Sequence, residues 1–204
     1  MKRFIYSMSY WSVPTALSSM RRGVSAVLAI LCLLQGTPLH AQQTKAAEYA
    51  VKATYLYNFS RFVQWPADAN AAKGESFPIC VFGEDPFGPV LDSILAGESI
   101  KGRPVVVKRV LKLQDSMECR VLYISSSEDN RLKEILAGLD KTSVLTVSDI
   151  PQFSQRGGII QFVNVANKVR FEVNLSSAQD AGLILSSDLL KVAVTVRKSS
   201  QPGD

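Results

Sequence analysis

Histidine and cysteine, which serve in many catalytic and zinc sites, are scarce in this sequence of 204 residues. His40 is the only histidine, and the three cysteines are Cys32, Cys80 and Cys119. A Ser-His-Asp triad needs a histidine as its base, and a structural zinc needs four Cys or His ligands. The Gly-rich motifs that bind nucleotides, and the GxSxG motif of hydrolases, do not occur. We therefore predict that the protein is not an enzyme and has no catalytic residue, metal or cofactor. Chemistry by Asp, Glu, Ser or Lys is the alternative that composition leaves open.

Three polar residues are candidates for binding a small ligand. Glu84 and Asp85 follow the first predicted sheet strand, at the edge where open α/β sheets bind their ligands. Arg156 precedes Gly157 and Gly158, whose backbone amides can cradle an anion. The alternatives are an acidic cap that complements a helix dipole, and a hairpin entry turn in which glycine supplies a positive φ. If they bind a ligand, Glu84, Asp85 and Arg156 should face one cleft.

A second group of candidates would bind another protein. Arg61, Trp65, Phe153 and Arg156 are of the aromatic and arginine types that dominate protein interfaces. If the aromatic rings are exposed, these residues form a patch for a partner. The alternative is that Trp65 and Phe153 pack inside the protein, as these residue types usually do.

The amino terminus has the composition of a secretory signal peptide. Its charged residues are all basic, because no Asp or Glu precedes Glu48. An apolar run of eleven residues, 24–34, precedes Ala41, after which we predict cleavage. A membrane-spanning helix needs about 20 residues, although a retained anchor is the alternative. We therefore predict a leader over 1–41 and a periplasmic protein, with Met1 and Met20 as the two candidate starts.

Removal of this leader changes the charge balance. Four of the 23 basic residues lie in it, so residues 42–204 carry 19 basic and 18 acidic side chains and no histidine. A nearly neutral chain lacks the basic surface that nucleic-acid binding requires. The length suits a single domain, which we place at 42–197, followed by a disordered tail over 198–204.

Two cysteines, Cys80 and Cys119, lie outside the predicted leader. In an oxidising compartment they are expected to form one disulfide bond. Such a bond closes a loop of about 40 residues and stabilises the fold by about 4 kcal/mol. Two free thiols buried in the core are the alternative.

The first ordered element is a helix over about 47–64. Glu48 and Lys52 form an i,i+4 ion pair in the favourable order, and the Trp65-Pro66 dipeptide ends the helix. A helix that is apolar on two sides is deeply buried or shared with another chain. Its two apolar stripes are Tyr49, Ala53, Leu56 and Val63, and Tyr55, Phe59 and Phe62.

Short apolar runs alternate with helical patterns in the rest of the chain. The predicted strands are 77–82, 103–110, 120–124 and 143–147, with helices near 87–95 and 130–139. A hairpin over 159–163 and 169–174 precedes a helix that is capped by Ser176 or Ser177 and ends at Gly182. The final segment, capped between 186 and 188, has an end at 192–196 that fits helix and strand equally. We predict a single-domain α/β fold with a largely parallel or mixed sheet flanked by helices and a C-terminal β-hairpin.

Several segments, taken in order, resemble the YfiR-like family. The resemblance runs from about Glu48 to Val194 and depends on the order and spacing of the segments rather than on any one of them. They are 51–59 (VKATYLYNF), 62–66 (FVQWP), 80–83 (CVFG), 101–105 (KGRPV), 144–149 (VLTVSD), Phe153, 157–162 (GGIIQF), 169–174 (VRFEVN) and 182–190 (GLILSSDLL).

The resemblance implies a small periplasmic α/β domain without catalytic residues. Characterised members of the family hold an inner-membrane diguanylate cyclase inactive by contacting its periplasmic sensor region. An outer-membrane lipoprotein can relieve that inhibition, and cyclic di-GMP and biofilm formation follow. For this chain the resemblance implies the same partners. A homodimer through the first helix is a separate hypothesis.

Within that family, Cys80 and Cys119 match the positions of a disulfide bond. No cysteine follows Cys119, so a second family disulfide has no counterpart here, and regulation through that bond is in doubt. The alternative function is a periplasmic small-molecule sensor, whose ligand would lie in the cleft of Glu84, Asp85 and Arg156.

Overall fold

The computed structural model describes residues 38–66 and 75–198. All packing described below lies within one compact unit, Lys45–Asp204. The predicted leader and tail fall outside the described residues, except for 38–41 and Lys198, as does most of the loop before the first sheet strand. Among the helices of the described residues, none is both long and apolar enough to cross a bilayer.

The described residues form six α-helices, one 3₁₀ helix and ten strands. The helices are α1 (Pro38–Phe62), α2 (Pro89–Leu95), α3 (Leu113–Ser116), the 3₁₀ helix (Ser126–Arg131), α4 (Leu132–Gly138), α5 (Leu175–Asp180) and α6 (Ser187–Val192). The strands are β1 (Val63–Gln64), β2 (Phe77–Phe82), β3 (Ser99–Ile100), β4 (Arg103–Val110), β5 (Val121–Ile124), β6 (Leu145–Ser148), β7 (Ile160–Val165), β8 (Lys168–Asn174), β9 (Ile184–Leu185) and β10 (Thr195–Arg197).

Eight strands form one mixed sheet in the order β10-β8-β7-β6-β5-β2-β4-β3. The five strands from β7 to β4 in this order run parallel, with β2 next to both β4 and β5. The antiparallel pairs are the β7–β8 hairpin and the short β3–β4 contact. The remaining two strands, β1 and β9, pair antiparallel with each other. The predicted α/β fold with a mixed sheet and a hairpin is confirmed.

Helices cover both faces of the large sheet. One apolar cluster joins one face of the sheet to α1, α2, α5 and α6, and a second joins the other face to α4. All six residues of β2 are buried, since alternate side chains enter the two clusters. A strand that is covered on both faces is expected to be apolar throughout, as β2 is.

The β7–β8 hairpin turns at Ala166 and Asn167, which both have positive φ. This is the backbone of a type I′ turn, whose twist suits the strands that it joins. After β8, helix α5 is capped by Asn174, whose side chain accepts from the amide of Ser177. The predicted caps Ser176 and Ser177 were wrong by two or three residues, because the Asn side chain fills the same role from the end of the strand.

The last segment is both helix and strand. Ser186 caps α6, as predicted, and its hydroxyl accepts from the amide of Leu189. The helix ends at Val192, and Thr195–Arg197 then pairs in parallel with β8 as an edge strand. The β-branched residues at the end of the segment therefore extend the sheet.

A disulfide bond joins Cys80 and Cys119, as predicted. Cys80 is in the middle of β2, and Cys119 lies just before β5, its neighbour in the sheet. Both residues are fully buried, and their Cα atoms are 6.0 Å apart. The bond therefore crosslinks the central strand pair within the second apolar cluster.

We expect the Cys80→Ser/Cys119→Ser double variant to lose about 4 kcal/mol of unfolding free energy, because the 39-residue separation then costs loop-closure entropy. Urea denaturation of the variant and of the oxidised protein measures the difference. The reduced wild-type protein serves as a control and should match the variant. A loss below about 1 kcal/mol would show that the bond does not hold the strand pair together.

Candidate functional site

Phe153 is not part of an exposed patch, contrary to the sequence-based hypothesis. It is 0% exposed and belongs to the second apolar cluster. A Cβ atom at Gly158 would lie only 2.0 Å from its ring, so the backbone of Gly158 packs directly on Phe153. Gly157 has a φ of 104°, which favours glycine. The Gly-Gly pair therefore shapes a turn over a buried ring.

Trp65 is also buried, at 9% exposure, and its ring packs edge-on against Phe77. Trp65 and Phe153 belong to the first apolar cluster and the second, respectively. Of the predicted partner-binding residues, only Arg61 and Arg156 are exposed. The proposed patch is therefore divided by the sheet, because both aromatic rings serve the core.

Asp85 and Arg156 have separate ion-pair partners. Asp85 accepts from the Phe87 amide at 2.8 Å and from Arg109 Nε at 3.0 Å. The Arg156 guanidinium pairs with Asp129 in the 3₁₀ helix, and Glu84 is exposed. The side chains of Asp85 and Arg156 thus stabilise loops. Because they pair with different residues, their ion pairs do not form the predicted shared cleft with Glu84.

A charged cluster that the sequence analysis missed lies at the carboxyl edge of the sheet. It consists of Tyr49 and Lys52 from α1 and Asp149, which follows β6; we call it the edge cluster. Lys52 Nζ is 2.7 Å from Asp149 Oδ2 and 2.6 Å from Glu48 Oε1. The Tyr49 hydroxyl donates to Asp149 Oδ2 at 2.9 Å, and Lys52 Nζ is 4.3 Å from the centre of the Tyr49 ring.

The edge cluster is charged in spite of its burial. Burial alone would raise the pKa of Asp149, but the hydrogen bond and charge of Lys52 outweigh it and lower that pKa. Burial alone would lower the pKa of Lys52, but hydrogen bonds to Asp149 and Glu48 raise it. For Tyr49, burial and the nearby carboxylate raise the pKa, so the phenol is neutral. The Lys52–Asp149 pair therefore ties α1 to the sheet as an ion pair.

A cavity of about 340 Å³ adjoins the edge cluster. Glu48, Lys52, Asp149 and Ser126 form its polar wall, and side chains of the hairpin complete it. Asp149 Oδ1 is buried and makes no hydrogen bond within the described residues.

The helical spacing contained the signal for this site. Lys52 lies three residues after Tyr49 and four before Leu56, both of which are buried, so Lys52 shares their face. A lysine on a buried face needs a counter-charge. Asp149 directly follows an apolar strand, as Glu84 and Asp85 do. Of these three acidic residues, Asp149 supplies the counter-charge of Lys52.

An exposed apolar surface lies at the other end of α1; we call it the ladder face. It comprises Arg61, Phe62, Gln64 and Ile184, all exposed. Val63 pairs with Leu185 and Gln64 with Ile184, and both Val63 and Leu185 point inward. Phe62 is 42% exposed and Ile184 64%. The two-residue ladder thus presents an aromatic ring, an aliphatic side chain and a cation to solvent.

We expect Asp149→Asn and Lys52→Met each to cost about 3–5 kcal/mol of unfolding free energy, because each leaves a buried charge poorly compensated. Urea denaturation measures this, and the double variant should cost less than the sum of the two. Lys108→Met is the matched control. Its exposed pair with Glu118 should contribute about 1 kcal/mol or less. Equal small losses in all variants would contradict the buried-pair assignment.

The same pair predicts a pH dependence. The folded pKa of Asp149 lies below its ordinary value of 3.8, so its contribution is present above about pH 4 and is lost as the pH falls through the folded pKa. The raised pKa of Lys52 preserves its contribution up to its ordinary value of 10.5, with loss at higher pH. Asp149→Asn should flatten the acid limb of stability against pH. An unchanged acid limb would exclude Asp149 as its source.

A family model described as YfiR/HmsC-like matches residues 49–194. Among curated proteins, none matches the chain. Two of the similar solved structures are a conserved domain protein from Vibrio cholerae O1 biovar eltor and the ABC domain from Streptococcus pneumonia in complex with L-Trp. Their sequence identities are 13% and 11%, each with a TM-score of 0.44 and with 59% of this chain covered.

The chain spans about half the length of these two structures, 54% and 55%. Similarity at this level does not transfer a fold or a function. The family match is of another kind, since it covers both core clusters, the edge cluster and the ladder face in one continuous stretch. This chain belongs to the YfiR/HmsC-like family.

Proposed function

We propose that this protein is a periplasmic regulator that represses an inner-membrane diguanylate cyclase by binding the cyclase's periplasmic domain. Membership of the YfiR/HmsC-like family supports a regulatory role of this kind. Repression would lower cytoplasmic cyclic di-GMP and thereby biofilm formation. The disulfide between Cys80 and Cys119 is consistent with an oxidising compartment.

The observation that carries the proposal is the ladder face. Phe62 and Ile184 are large apolar side chains held on a paired backbone rather than on a loose loop. Arg61 is exposed beside Phe62, and its guanidinium lies 5.9 Å from the ring of Tyr57. Aromatic and arginine side chains are enriched among residues that dominate binding energy. This surface replaces the one around Phe153 that the sequence suggested.

Repression by binding requires a difference in affinity between two states of the sensor. A repressor that binds both states equally shifts nothing, however tightly it binds. Moving a sensor from 1% to 99% inactive requires about 10⁴-fold tighter binding to the inactive state. A surface held by backbone pairing suits this task, because association then costs little conformational entropy.

Relief of repression follows from competition. An outer-membrane lipoprotein that binds the ladder face would remove the repressor from the cyclase by mass action. Self-association of the repressor through the same face would have the same effect. The lipoprotein and a second copy of the repressor are both part of the proposal, and both would compete with the cyclase for Phe62 and Ile184.

A second candidate function is favoured by the cavity at the edge cluster. Its volume of about 340 Å³ is within the range of small-molecule sites, and its wall includes the charged pair Lys52 and Asp149. A periplasmic sensor of small molecules would bind its ligand there. A thermal-shift screen distinguishes the two functions, because a ligand at this site should raise the melting temperature of the wild-type protein but not of Asp149→Asn.

We expect Ile184→Asp and Arg61→Glu each to weaken binding to the cyclase's periplasmic domain at least tenfold. The first places a charge in the apolar contact, and the second reverses the neighbouring charge. Biolayer interferometry with the isolated periplasmic domains of the inner-membrane diguanylate cyclases of the same organism measures this. Cyclic di-GMP in cells that produce the variants should rise in parallel.

The control is Leu111→Asp, the same kind of change at another exposed apolar residue, which is 85% exposed at the end of β4. It should bind as the wild type does. Undiminished binding by folded Ile184→Asp and Arg61→Glu would exclude the ladder face. Absence of binding by the wild type to every cyclase tested would exclude the proposed function.

A further inference from the structure

Strand β4 is covered on its outer side along only part of its length. On its inner side it pairs with β2 over Val105–Val110. On its outer side it pairs with β3 through Arg103 and Pro104, and the Val105 amide donates to the carbonyl of Glu98 at 2.9 Å. Within the described residues, no strand lies beside the rest of β4 on that side. We call residues 107–111, which are uncovered there, the open edge.

The open edge presents backbone hydrogen-bonding groups without a neighbouring strand. Along a strand, the N–H and C=O groups of every second residue point to the same side. Because the Val105 N–H points outward to Glu98, the backbone groups of Val107 and Arg109 point outward as well. In the described part of the chain no strand supplies them with partners. Such a row of groups is a template for pairing with another strand.

The charges that usually protect an edge strand are offset at this place. Lysine and arginine on an edge strand discourage pairing with another chain. Here Lys108 Nζ is 3.1 Å from Glu118 Oε2. The Arg109 guanidinium donates to both carboxylate oxygens of Asp92, each at 2.6 Å, and to Asp85 at 3.0 Å. Since carboxylates of the same chain bind both cations, their charge opposes a second strand less.

We propose that the open edge pairs with the open edge of a second copy of this chain, antiparallel and about a two-fold axis. Because β3 and Glu98 occupy the outer side of 103–105, a partner strand has space only beside 107–111. Two copies of this five-residue segment match over their full length when Arg109 lies opposite Arg109 of the second copy. The interface is then the same on both copies, and the two eight-stranded sheets become one continuous sheet.

This register uses the exposed apolar residue that follows β4. Leu111 is 85% exposed, and the next residue, Lys112, has extended backbone. In extended form Leu111 lies opposite Val107 of the second copy, so that an apolar pair forms at each end of the paired segment. The outward backbone groups of Val107 and Arg109 also obtain partners, and main-chain hydrogen bonds of this kind give an added strand its affinity.

A register centred on Lys108 is less favourable. It would place lysine opposite lysine, and like charges directly opposite each other are destabilising. It would also place Leu111 of the second copy opposite Val105, where Glu98 already accepts the amide. The register centred on Arg109 brings two arginines together, but each is bound by two carboxylates of its own chain.

Val107→Pro tests the backbone pairing. Proline removes an N–H that points away from β2, and its ring occupies the side on which the second copy would lie. We expect sedimentation equilibrium to show a monomer–dimer equilibrium for the wild-type protein, and a dissociation constant at least about tenfold higher for Val107→Pro. Val107→Thr keeps the N–H and the β-branched shape, so this control should dimerise as the wild type does.

Three results of this measurement would overturn the proposal. One is a wild-type protein that stays monomeric up to about 1 mM. Another is a folded Val107→Pro that dimerises with wild-type affinity. The third is an equal weakening by Val107→Thr, since the backbone is unchanged in that variant.

Cysteine crosslinking tests the register and decides the matter if Val107→Pro does not fold. In a Cys32→Ser background the two remaining native cysteines, Cys80 and Cys119, are bonded to each other. Residues that lie opposite each other with paired backbones have Cα atoms about 5.5 Å apart, which suits a disulfide bond. The Val107→Cys/Leu111→Cys double variant should therefore form a disulfide-linked dimer on oxidation.

Each single variant is the control for the double variant. Four residues of a strand span about 13 Å, so Val107→Cys alone and Leu111→Cys alone should form little linked dimer, and the double variant cannot close a bond within one chain. A dimer linked as well by either single variant would overturn the proposed register. Absence of linked dimer in the double variant would overturn the interface.

The open edge shares no residue with the ladder face, so this proposal and the proposed function can fail separately. Leu111→Asp should weaken the dimer at least about tenfold, because pairing would bury an unpaired charge, and should still bind the cyclase's periplasmic domain. Ile184→Asp should keep the dimer and lose the cyclase. Loss of the dimer in Ile184→Asp, with an intact dimer in Leu111→Asp, would overturn the open edge as the interface.

Discussion

The packing of α1 on one face of the sheet is the constraint on which the other features depend. Tyr49, Ala53, Leu56 and Phe59 lie along its buried side. The ring centre of Phe59 lies 4.9 Å from that of Phe171 and 5.8 Å from that of Phe162. The helix therefore packs on the hairpin as well as on the parallel strands. A helix that is apolar on two sides has to be covered, and here the sheet covers both apolar stripes except for Phe62, which is 42% exposed.

The position of α1 determines which parts of the protein the two ends of the helix contact. At one end its face includes Lys52, which reaches Asp149 at the carboxyl edge. At the other end the chain extends into β1 and pairs with β9, so that Phe62 and Ile184 reach solvent on a paired backbone. The ion pair and the ladder face are therefore two consequences of one packing arrangement.

The sequence was most informative where a strand is a β-branched or apolar run between turns. The bounds of β2 and β4 were predicted to the residue, because continuous β-branched or apolar runs between turns have few alternatives. The disulfide followed from the cysteine count and the family resemblance. The strand patterns are local in the sequence, and the fold retains them.

Contacts between distant segments were not predictable in the same way. The burial of Phe153 depends on the backbone of Gly158 packing on its ring, which no periodicity shows. Lys52 and Asp149 are 97 residues apart, and Lys52 seemed complete with Glu48 as its i,i+4 partner. The sequence shows that a buried apolar or charged side chain requires a partner, but only the topology determines which residue that partner is.

The two edges of the sheet show how differently the fold treats buried charge. At the carboxyl edge Lys52 is enclosed by two carboxylates and an aromatic ring, all from the chain itself. At the amino edge Arg120 is buried as deeply, with Arg103 as its charged neighbour. Folding sequences rarely keep such a conflict unless a function requires it, because consistent local choices define a stable fold. Within the described residues, no carboxylate offsets the charge of Arg120 as Glu48 and Asp149 offset that of Lys52.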